Sequence, residues 1–214
     1  MVTGAADLTL LHTSPVHVPV FDALRDRDHP GAVLRHVVVP ELLERARERG
    51  PESVAPDLRG LLGEAGGPVL VTCSTLGAVA EALAPAVGAP VLRVDRPMAA
   101  EAVRTGPRIA VLATVASTAG PTAELLAEEA AGREVSVAVH LVDGAWELFE
   151  AGDTDGYLAA VAGAADAVAG AEVIVLAQAS MAGAAGLVRT PVPVLSSPRP
   201  GLAAALRLGE WPAG

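Results

Sequence analysis

Short apolar runs alternate with segments of helical spacing along the chain. In the first half, four runs have the length of strands: Leu8–Leu11, Val33–Val39, Val69–Thr72 and Pro90–Val94. Apolar positions recur at helical spacing between them, over Val20–Arg27, Pro40–Arg49, Asp57–Ala65 and Ala78–Val87. Continuous apolar strands that alternate with helices are typical of parallel sheets covered on both faces. The pattern predicts an α/β fold.

The second half shows the same alternation. Its strand-length runs are Arg108–Ala113, Val135–Val142, Val173–Ala177 and Val192–Leu195. Helical spacing is found over Pro121–Ala131, Gly144–Ala151, Gly156–Ala169 and Met181–Val188. The end of the chain, Leu202–Leu208, is predicted to be a helix that returns to pack on one of the two sheets.

The chain also contains an internal repeat. Pro90–Pro97 and Pro193–Pro200 both read PVL, three variable positions, then RP. The matched Arg96 and Arg199 favour a shared structural role, such as closing a strand–helix turn. Two further pairs follow in the same order: Leu10–Ser14 with Leu112–Ala116, and Val69–Ser74 with Ile174–Ala179. Three pairs in one order indicate a duplicated half.

The repeat predicts two pseudo-symmetric domains, each a four-stranded parallel sheet with helices on both faces. We expect residues 1–96 with 198–214 to form the first domain, which carries Cys73, and residues 97–197 to form the second, which carries Gln178. Open parallel sheets bind ligands at the carboxyl ends of their strands. The active site is therefore expected in the cleft between the domains.

Composition excludes several classes of function. The chain has 25 acidic and 15 basic residues, a formal net charge of −10, which argues against nucleic-acid binding and a polybasic membrane anchor. There is no long apolar run for a membrane span and no signal peptide, so we expect a cytoplasmic protein. One cysteine rules out an internal disulfide framework. Because metal-ligand spacings are missing, we expect no metal site, and the absence of glycine-rich nucleotide motifs leaves nucleotide binding without local support.

Small hydroxyl side chains follow the strands of both halves. They are joined by one carboxamide, and the candidates for substrate binding are Thr13, Ser14, Ser74, Thr75, Ser117, Thr118, Gln178 and Ser180. Helix capping is the structural alternative, since Ser and Thr are preferred at that position. Their concentration along one predicted sheet edge favours anion binding, because hydroxyls and helix N-termini together suit a carboxylate.

Cys73 lies in a sequence that reads strand, Thr72, Cys73, Ser74, Thr75, helix. A lone cysteine is commonly a small buried hydrophobic residue. A helix N-terminus, however, favours the thiolate form, so this setting predicts a reactive cysteine. His12 and His17 flank the loop after the first strand and are candidates for an acid–base partner.

These features together resemble the aspartate/glutamate racemase superfamily over nearly the whole chain. The most specific matches are Val71–Thr75, Ser117–Thr118 and Leu176–Ser180. The superfamily includes glutamate, aspartate and hydantoin racemases, maleate cis–trans isomerase and arylmalonate decarboxylase. The resemblance implies a cofactor-independent enzyme with its site between two pseudo-symmetric domains, and it makes a homo-oligomer reasonable. In the racemases, one cysteine removes the α-proton and a second returns a proton to the opposite face.

This sequence keeps the first of those cysteines, and Gln178 stands at the place of the second. Glutamine cannot act as a general acid or base at neutral pH. The resemblance thus implies a racemase or isomerase acting on a small carboxylic acid, with Cys73 as acid–base group or nucleophile. Two alternatives stay open: a decarboxylase of the same fold, whose branch keeps the thiol of the second half, and a non-catalytic protein that binds a small carboxylate.

Overall fold

The computed structural model describes residues 7–209. As far as β4, the elements are β1 (Leu8–His12), α1 (His17–Asp28), β2 (Leu34–Val38), α2 (Pro40–Arg49), α3 (Ala55–Gly63), β3 (Val69–Val71), α4 (Ser74–Val87) and β4 (Val91–Arg93). The remaining elements are α5 (Arg96–Thr105), β5 (Arg108–Ala113), α6 (Ala116–Ala130), β6 (Ser136–Leu141), α7 (Ala145–Glu150), α8 (Thr154–Ala167), β7 (Val173–Leu176), β8 (Val194–Ser196) and α9 (Pro198–Gly209). Two 3₁₀ helices add Pro51–Val54 and Ala179–Gly186.

Two compact units divide the chain, Met1–Val94 with Pro198–Gly214 and Asp95–Ser197. Each unit contains a four-stranded sheet, ordered β2-β1-β3-β4 in the first and β6-β5-β7-β8 in the second. All neighbouring strands are parallel. The identical strand order confirms the α/β fold with two four-stranded parallel sheets that the sequence predicts.

Alternate residues of the central strands face two separate cores in each unit. In the first unit, Leu8 and Leu10 pack with Phe21 of α1 and Leu202 of α9. Leu11 packs on the other side of the sheet, in a cluster with side chains from α2, α3 and α4. The second unit repeats this arrangement, with α7 and α8 in one cluster and α5 and α6 in the other. Burial on both faces explains why most residues of the central strands are apolar.

Two helices belong to the unit that does not supply the preceding strand. Helix α5 follows β4 but packs in the second unit against α6, and α9 follows β8 but packs in the first unit against α1. The matched arginines make ion pairs at these places. Arg96 of α5 lies 2.6 Å from Glu129 of α6, and Arg199 of α9 lies 3.0 Å from Asp28 of α1. Both residues therefore tie a helix to its neighbour.

Several predicted helix boundaries are wrong. Helix α6 begins at Ala116 and contains Pro121 in its interior, so Ser117 and Thr118 lie in its first turn and not in a loop. Pro121 lacks the amide that would bond to the Ser117 carbonyl, so α6 continues through this position without that hydrogen bond. The α-helix expected over Met181–Val188 is the 3₁₀ helix Ala179–Gly186, whose two glycines disfavour a regular α-helix.

Helix α5 has no counterpart among the predicted elements. Its second residue is Pro97, and its core-facing residues are Met98, Ala99, Ala102 and Val103. Proline is well tolerated in the first turn of a helix, where its missing amide is not needed. Within residues 7–209, no helix is long and apolar enough to cross a membrane.

Gly201 sets how closely α9 approaches β4. A Cβ atom at this position would lie 2.5 Å from the carbonyl oxygen of Val94 and 2.7 Å from its Cγ2. Gly201→Ala should therefore lower the free energy of unfolding by about 1–3 kcal/mol, because the backbone must shift to accept the methyl group. Chemical denaturation of the two proteins measures the difference.

Gly60→Ala is the matched control in the same unit. A Cβ atom there would meet nothing within 4 Å, and the residue lies in α3. Alanine should raise stability by about 0.5–1 kcal/mol, because it has the higher helix propensity. Equal changes in the free energy of unfolding for the two substitutions would contradict the close packing of α9 against the end of β4.

Candidate functional site

The strand order brings the ends of β1 and β3 together in the first unit. The two strands pair in parallel, with Leu11 opposite Val71, so the residues that follow them leave the sheet side by side. The connections from these strands lead to opposite sides of the sheet, which makes this edge the topological switch point where open parallel sheets bind ligands. Thr13 follows β1 here, and Thr72 and Cys73 follow β3.

Cys73 is the residue immediately before α4. Its backbone is extended, with φ −104° and ψ 116°, and it carries the chain from the strand into the helix. The cysteine is free and partly buried, and its side chain packs against the core beneath α4. Ser74 and Thr75 form the first turn of the helix and are also partly buried. Amide groups at a helix N-terminus attract negative charge, so the thiol lies where an anion is stabilised.

A buried hydrogen-bonded chain lies directly behind this loop. Thr72 Oγ1 donates to the carbonyl oxygen of Leu11 at 3.1 Å, and His12 Nδ1 lies 2.8 Å from Thr72 Oγ1. His12 Nε2 lies 2.8 Å from His36 Nδ1. The hydroxyl proton of Thr72 is already donated to the Leu11 carbonyl. We therefore infer that His12 Nδ1–H donates to Thr72 Oγ1 and that His12 Nε2 accepts from His36. The chain thereby joins β2, β1 and β3.

His12 is a neutral positioning group in this arrangement. Its side chain is inaccessible to solvent, and burial lowers its pKa to about 3, with smaller contributions from His36 and His17. His36 Nε2 lies 3.4 Å from Asp22 Oδ1, without hydrogen-bond geometry. The proposed acid–base role of His12 stays a prediction, and its burial favours a role in fixing the strand ends.

The other residues of this edge differ in exposure. His17 is the first residue of α1 and is half-buried; burial lowers its pKa, and its ring centroid lies 6.2 Å from that of His12. Among the described residues, its Nδ1 has no hydrogen-bond partner. Thr13 is buried, and Ser14 is partly buried. The structure thus places the first-unit candidates at one sheet edge.

The second unit has an equivalent edge at β5 and β7. Gln178 follows β7 and lies immediately before a 3₁₀ helix, with extended φ −121° and ψ 141°. Cys73 has the same relation to β3 and α4, so Gln178 stands at the structural equivalent of Cys73. Oε1 of Gln178 accepts from the Thr114 amide at 2.7 Å and from Thr114 Oγ1 at 3.0 Å.

Tyr157 of α8 supports this second edge. Its hydroxyl lies 2.8 Å from Ser180 Oγ, and its ring is almost completely buried. Burial raises the pKa of Tyr157, and hydrogen bonds with Ser180 and Thr114 partly offset that rise. In the first turn of α6, Ser117 is exposed, whereas Thr118 is buried and its amide bonds to the Val115 carbonyl.

Sequence reasoning missed four residues that the structure adds to these edges: Thr72, His36, Thr114 and Tyr157. Thr72 and Thr114 could have been found, because each is the first polar residue after a buried strand. His36 and Tyr157 reach their partners from β2 and α8, and no local pattern signals such contacts. Within residues 7–209, no group of three or more His, Cys, Asp or Glu side chains is arranged to hold a metal ion.

The chain belongs to the Asp/Glu/hydantoin racemase family, because the model of that family matches residues 16–209. A candidate Asp/Glu racemase from Yersinia pestis is similar in structure, with a TM-score of 0.67 at 14% identity over 95% of this chain and 99% of that chain. The aspartate racemase of Picrophilus torridus gives a TM-score of 0.65 at 13% identity, over 95% and 94% of the two chains.

A decarboxylase has the same fold. A glycine-to-cysteine mutant of arylmalonate decarboxylase, in a sulfate-associated form, gives a TM-score of 0.65 at 21% identity over 96% of this chain and 94% of that chain. No curated protein gave a sequence match. The fold is therefore that of a superfamily of racemases with decarboxylase relatives.

The depressed pKa of His12 predicts acid sensitivity. Because the folded pKa of about 3 lies below the unfolded value of 6.5, the neutral imidazole contributes stability above pH 6.5. That stability is lost as the pH falls from 6.5 towards 3. Each pH unit in this window corresponds to at most about 1.4 kcal/mol. Denaturation at a series of pH values should show a smaller loss for His12→Gln than for the wild type.

His140→Gln is the control for this titration. His140 lies at the place on β6 that corresponds to His36 on β2, but it is exposed. The control should follow the wild-type curve. A His12→Gln curve parallel to the wild type across the window would contradict the buried neutral imidazole.

Proposed function

We propose that the protein is a cofactor-independent enzyme of the racemase or isomerase type that acts on a small carboxylic acid, with Cys73 as its reacting thiol. The position of Cys73 carries the proposal. It is the only cysteine of the chain, it is partly accessible, and it lies at the N-terminus of α4, at the topological switch point of the first sheet. Membership of the racemase family supports the reaction class.

The chemistry begins with proton transfer at the carbon beside a carboxylate. The Cys73 thiolate takes the α-proton and becomes a thiol, and the electron pair of the C–H bond moves into the carboxylate to form an enediolate. Hydrogen-bond donors must hold the new charge, and each well-placed donor contributes about 3–4 kcal/mol. The first unit offers the hydroxyls of Ser74, Thr75, Thr13 and Ser14 and the amides at the start of α4.

Return of a proton to the opposite face needs a second donor. Gln178 stands at the equivalent position in the second unit, but a carboxamide does not transfer protons at neutral pH. Water or His17 would have to supply this proton, since His12 is buried and hydrogen-bonded on both ring nitrogens. Inversion therefore depends on a group other than a second thiol.

Decarboxylation is the second candidate, and the single thiol favours it. Loss of CO₂ from a malonate-type acid leaves the bonding electron pair in an enediolate. The Cys73 thiol then donates one proton to the carbon, and the thiolate recovers a proton from water. This reaction needs one proton donor on one face. The similarity in fold to arylmalonate decarboxylase supports it.

Deuterium incorporation tests the proposal. The protein is incubated in D₂O with 2-amino, 2-hydroxy, arylmalonic and unsaturated dicarboxylic acids, and the products are followed by NMR. We expect one class to exchange its α-proton, and Cys73→Ala to slow the reaction by about 10²-fold or more, as for loss of a general acid–base group. Loss of CO₂ in the same spectra would select the decarboxylase.

Ser136→Ala is the matched control, since Ser136 is an exposed hydroxyl at the start of β6. It should react at the wild-type rate. Full activity of Cys73→Ala would remove the thiol from the mechanism. Binding of a carboxylate without exchange or product would leave the non-catalytic binding protein as the correct account.

A further inference from the structure

The orientation of the Gln178 carboxamide is fixed by Thr114. The atom of Gln178 that faces the Thr114 amide at 2.7 Å must be the oxygen, because a backbone N–H group can only donate. The same oxygen also accepts from the Thr114 hydroxyl at 3.0 Å. Because Oε1 accepts two hydrogen bonds from Thr114, the NH₂ group on the same carbon is turned away from Thr114. Among residues 7–209, it has no hydrogen-bond partner.

Buried groups hold Thr114 itself in place. Thr114 is buried directly after β5, and the Tyr157 hydroxyl lies beside it, hydrogen-bonded to Ser180. Tyr157 packs among the apolar side chains between α8 and the sheet. Gln178 is itself only partly buried. The second unit therefore presents two N–H donors on a rigid support, at the switch point of its sheet.

We propose that Gln178 is a fixed hydrogen-bond donor to an oxyanion of the ligand, a carboxylate oxygen, and that Thr114 and Tyr157 are positioning residues that act through it. The inference deepens the proposed function and rests on it for the identification of this anion with the substrate carboxylate. With its oxygen engaged, the Gln178 carboxamide offers a ligand only N–H donors, which suit a carboxylate and not an ammonium group. Gln178, which stands at the place of a second thiol, thus binds the carboxylate and does not transfer a proton.

The composition of the chain makes this inference directly observable. Gln178 is the only glutamine, and the sequence contains no asparagine. The carboxamide region of a ¹H–¹⁵N spectrum must therefore show a single NH₂ pair, which belongs to Gln178. Malonate is the probe, with malonamide and sodium chloride at equal ionic strength as neutral and simple-salt comparisons. We expect malonate alone to shift the pair saturably.

Variants distinguish a change in the orientation of the Gln178 carboxamide from a general loss of folding. Tyr157→Phe should move the NH₂ pair in the absence of ligand and weaken malonate binding, because the support of Thr114 is loosened. Gln178→Glu removes both donors and adds a negative charge, and it should weaken binding roughly 10- to 100-fold, as for loss of a hydrogen bond to a charged group. Glu150→Gln places a second carboxamide at the exposed end of α7, where it serves as a reference that malonate should not shift.

The outcomes distinguish this inference from the proposed function. Saturable movement of the Gln178 pair, with the reference pair unmoved, supports the inference. Malonate that shifts the amides of Ser74 and Thr75 but not the Gln178 pair overturns it and leaves the proposed function standing. A pair that no carboxylate moves, or that malonamide moves equally, also overturns it. If Tyr157→Phe binds malonate with wild-type affinity and its Gln178 NH₂ pair is unmoved, Tyr157 is not a positioning residue.

Discussion

The parallel pairing of β1 with β3, and of β5 with β7, fixes where the chemistry of this chain can lie. Each pair is central in its sheet, and the connections from its strands lead to opposite sides. The residues that follow the two strands consequently leave the sheet together. In the first unit this places Cys73 beside the end of β1, and in the second it places Gln178 beside Thr114. Because helices cover both faces of each sheet, these residues lie at the edge where open parallel sheets commonly bind ligands.

The two units place different side chains at equivalent positions of this shared geometry. The first unit places a thiol at a helix N-terminus. The residue before it, Thr72, is hydrogen-bonded to the buried, neutral side chain of His12. The second unit places a carboxamide at the equivalent position, and two hydrogen bonds from Thr114 fix its orientation. The same strand order is present in both units, and the side chains after β3 and β7 differ: a thiol in the first and a carboxamide in the second.

Most of the fold could be predicted from the sequence because the strands are short apolar runs and the helices carry regular spacing. The matched motifs at Pro90–Pro97 and Pro193–Pro200 indicated the duplication, which the two identical strand orders show. Helix starts were less predictable. Pro121 was expected to open α6, yet the helix begins five residues earlier and continues through the proline without the hydrogen bond that its missing amide would make. Helix α5 was missed although Pro97 stands in its first turn and its buried residues, Met98, Ala99, Ala102 and Val103, recur at helical spacing.

The candidate site could be predicted only in part. Cys73, Gln178 and the hydroxyl residues were recognisable because they stand just after apolar strands. The groups that orient them were not recognisable, because Tyr157 and His36 come from separate elements and bond across the fold. Such contacts depend on the packing of α8 and β2 against the sheets, which carries no local signature in the sequence.

The reactivity of Cys73 towards charged and neutral alkylating agents tests the central claim most directly. Iodoacetate resembles a small carboxylate, whereas iodoacetamide has nearly the same size without the charge. Each reagent can modify only one thiol in this chain, so the rates need no site assignment. The account predicts that folding raises the ratio of the iodoacetate rate to the iodoacetamide rate above its value in the denatured chain. A thiol that is inert when folded, or a ratio unchanged by folding, would contradict an anion-accepting site at Cys73.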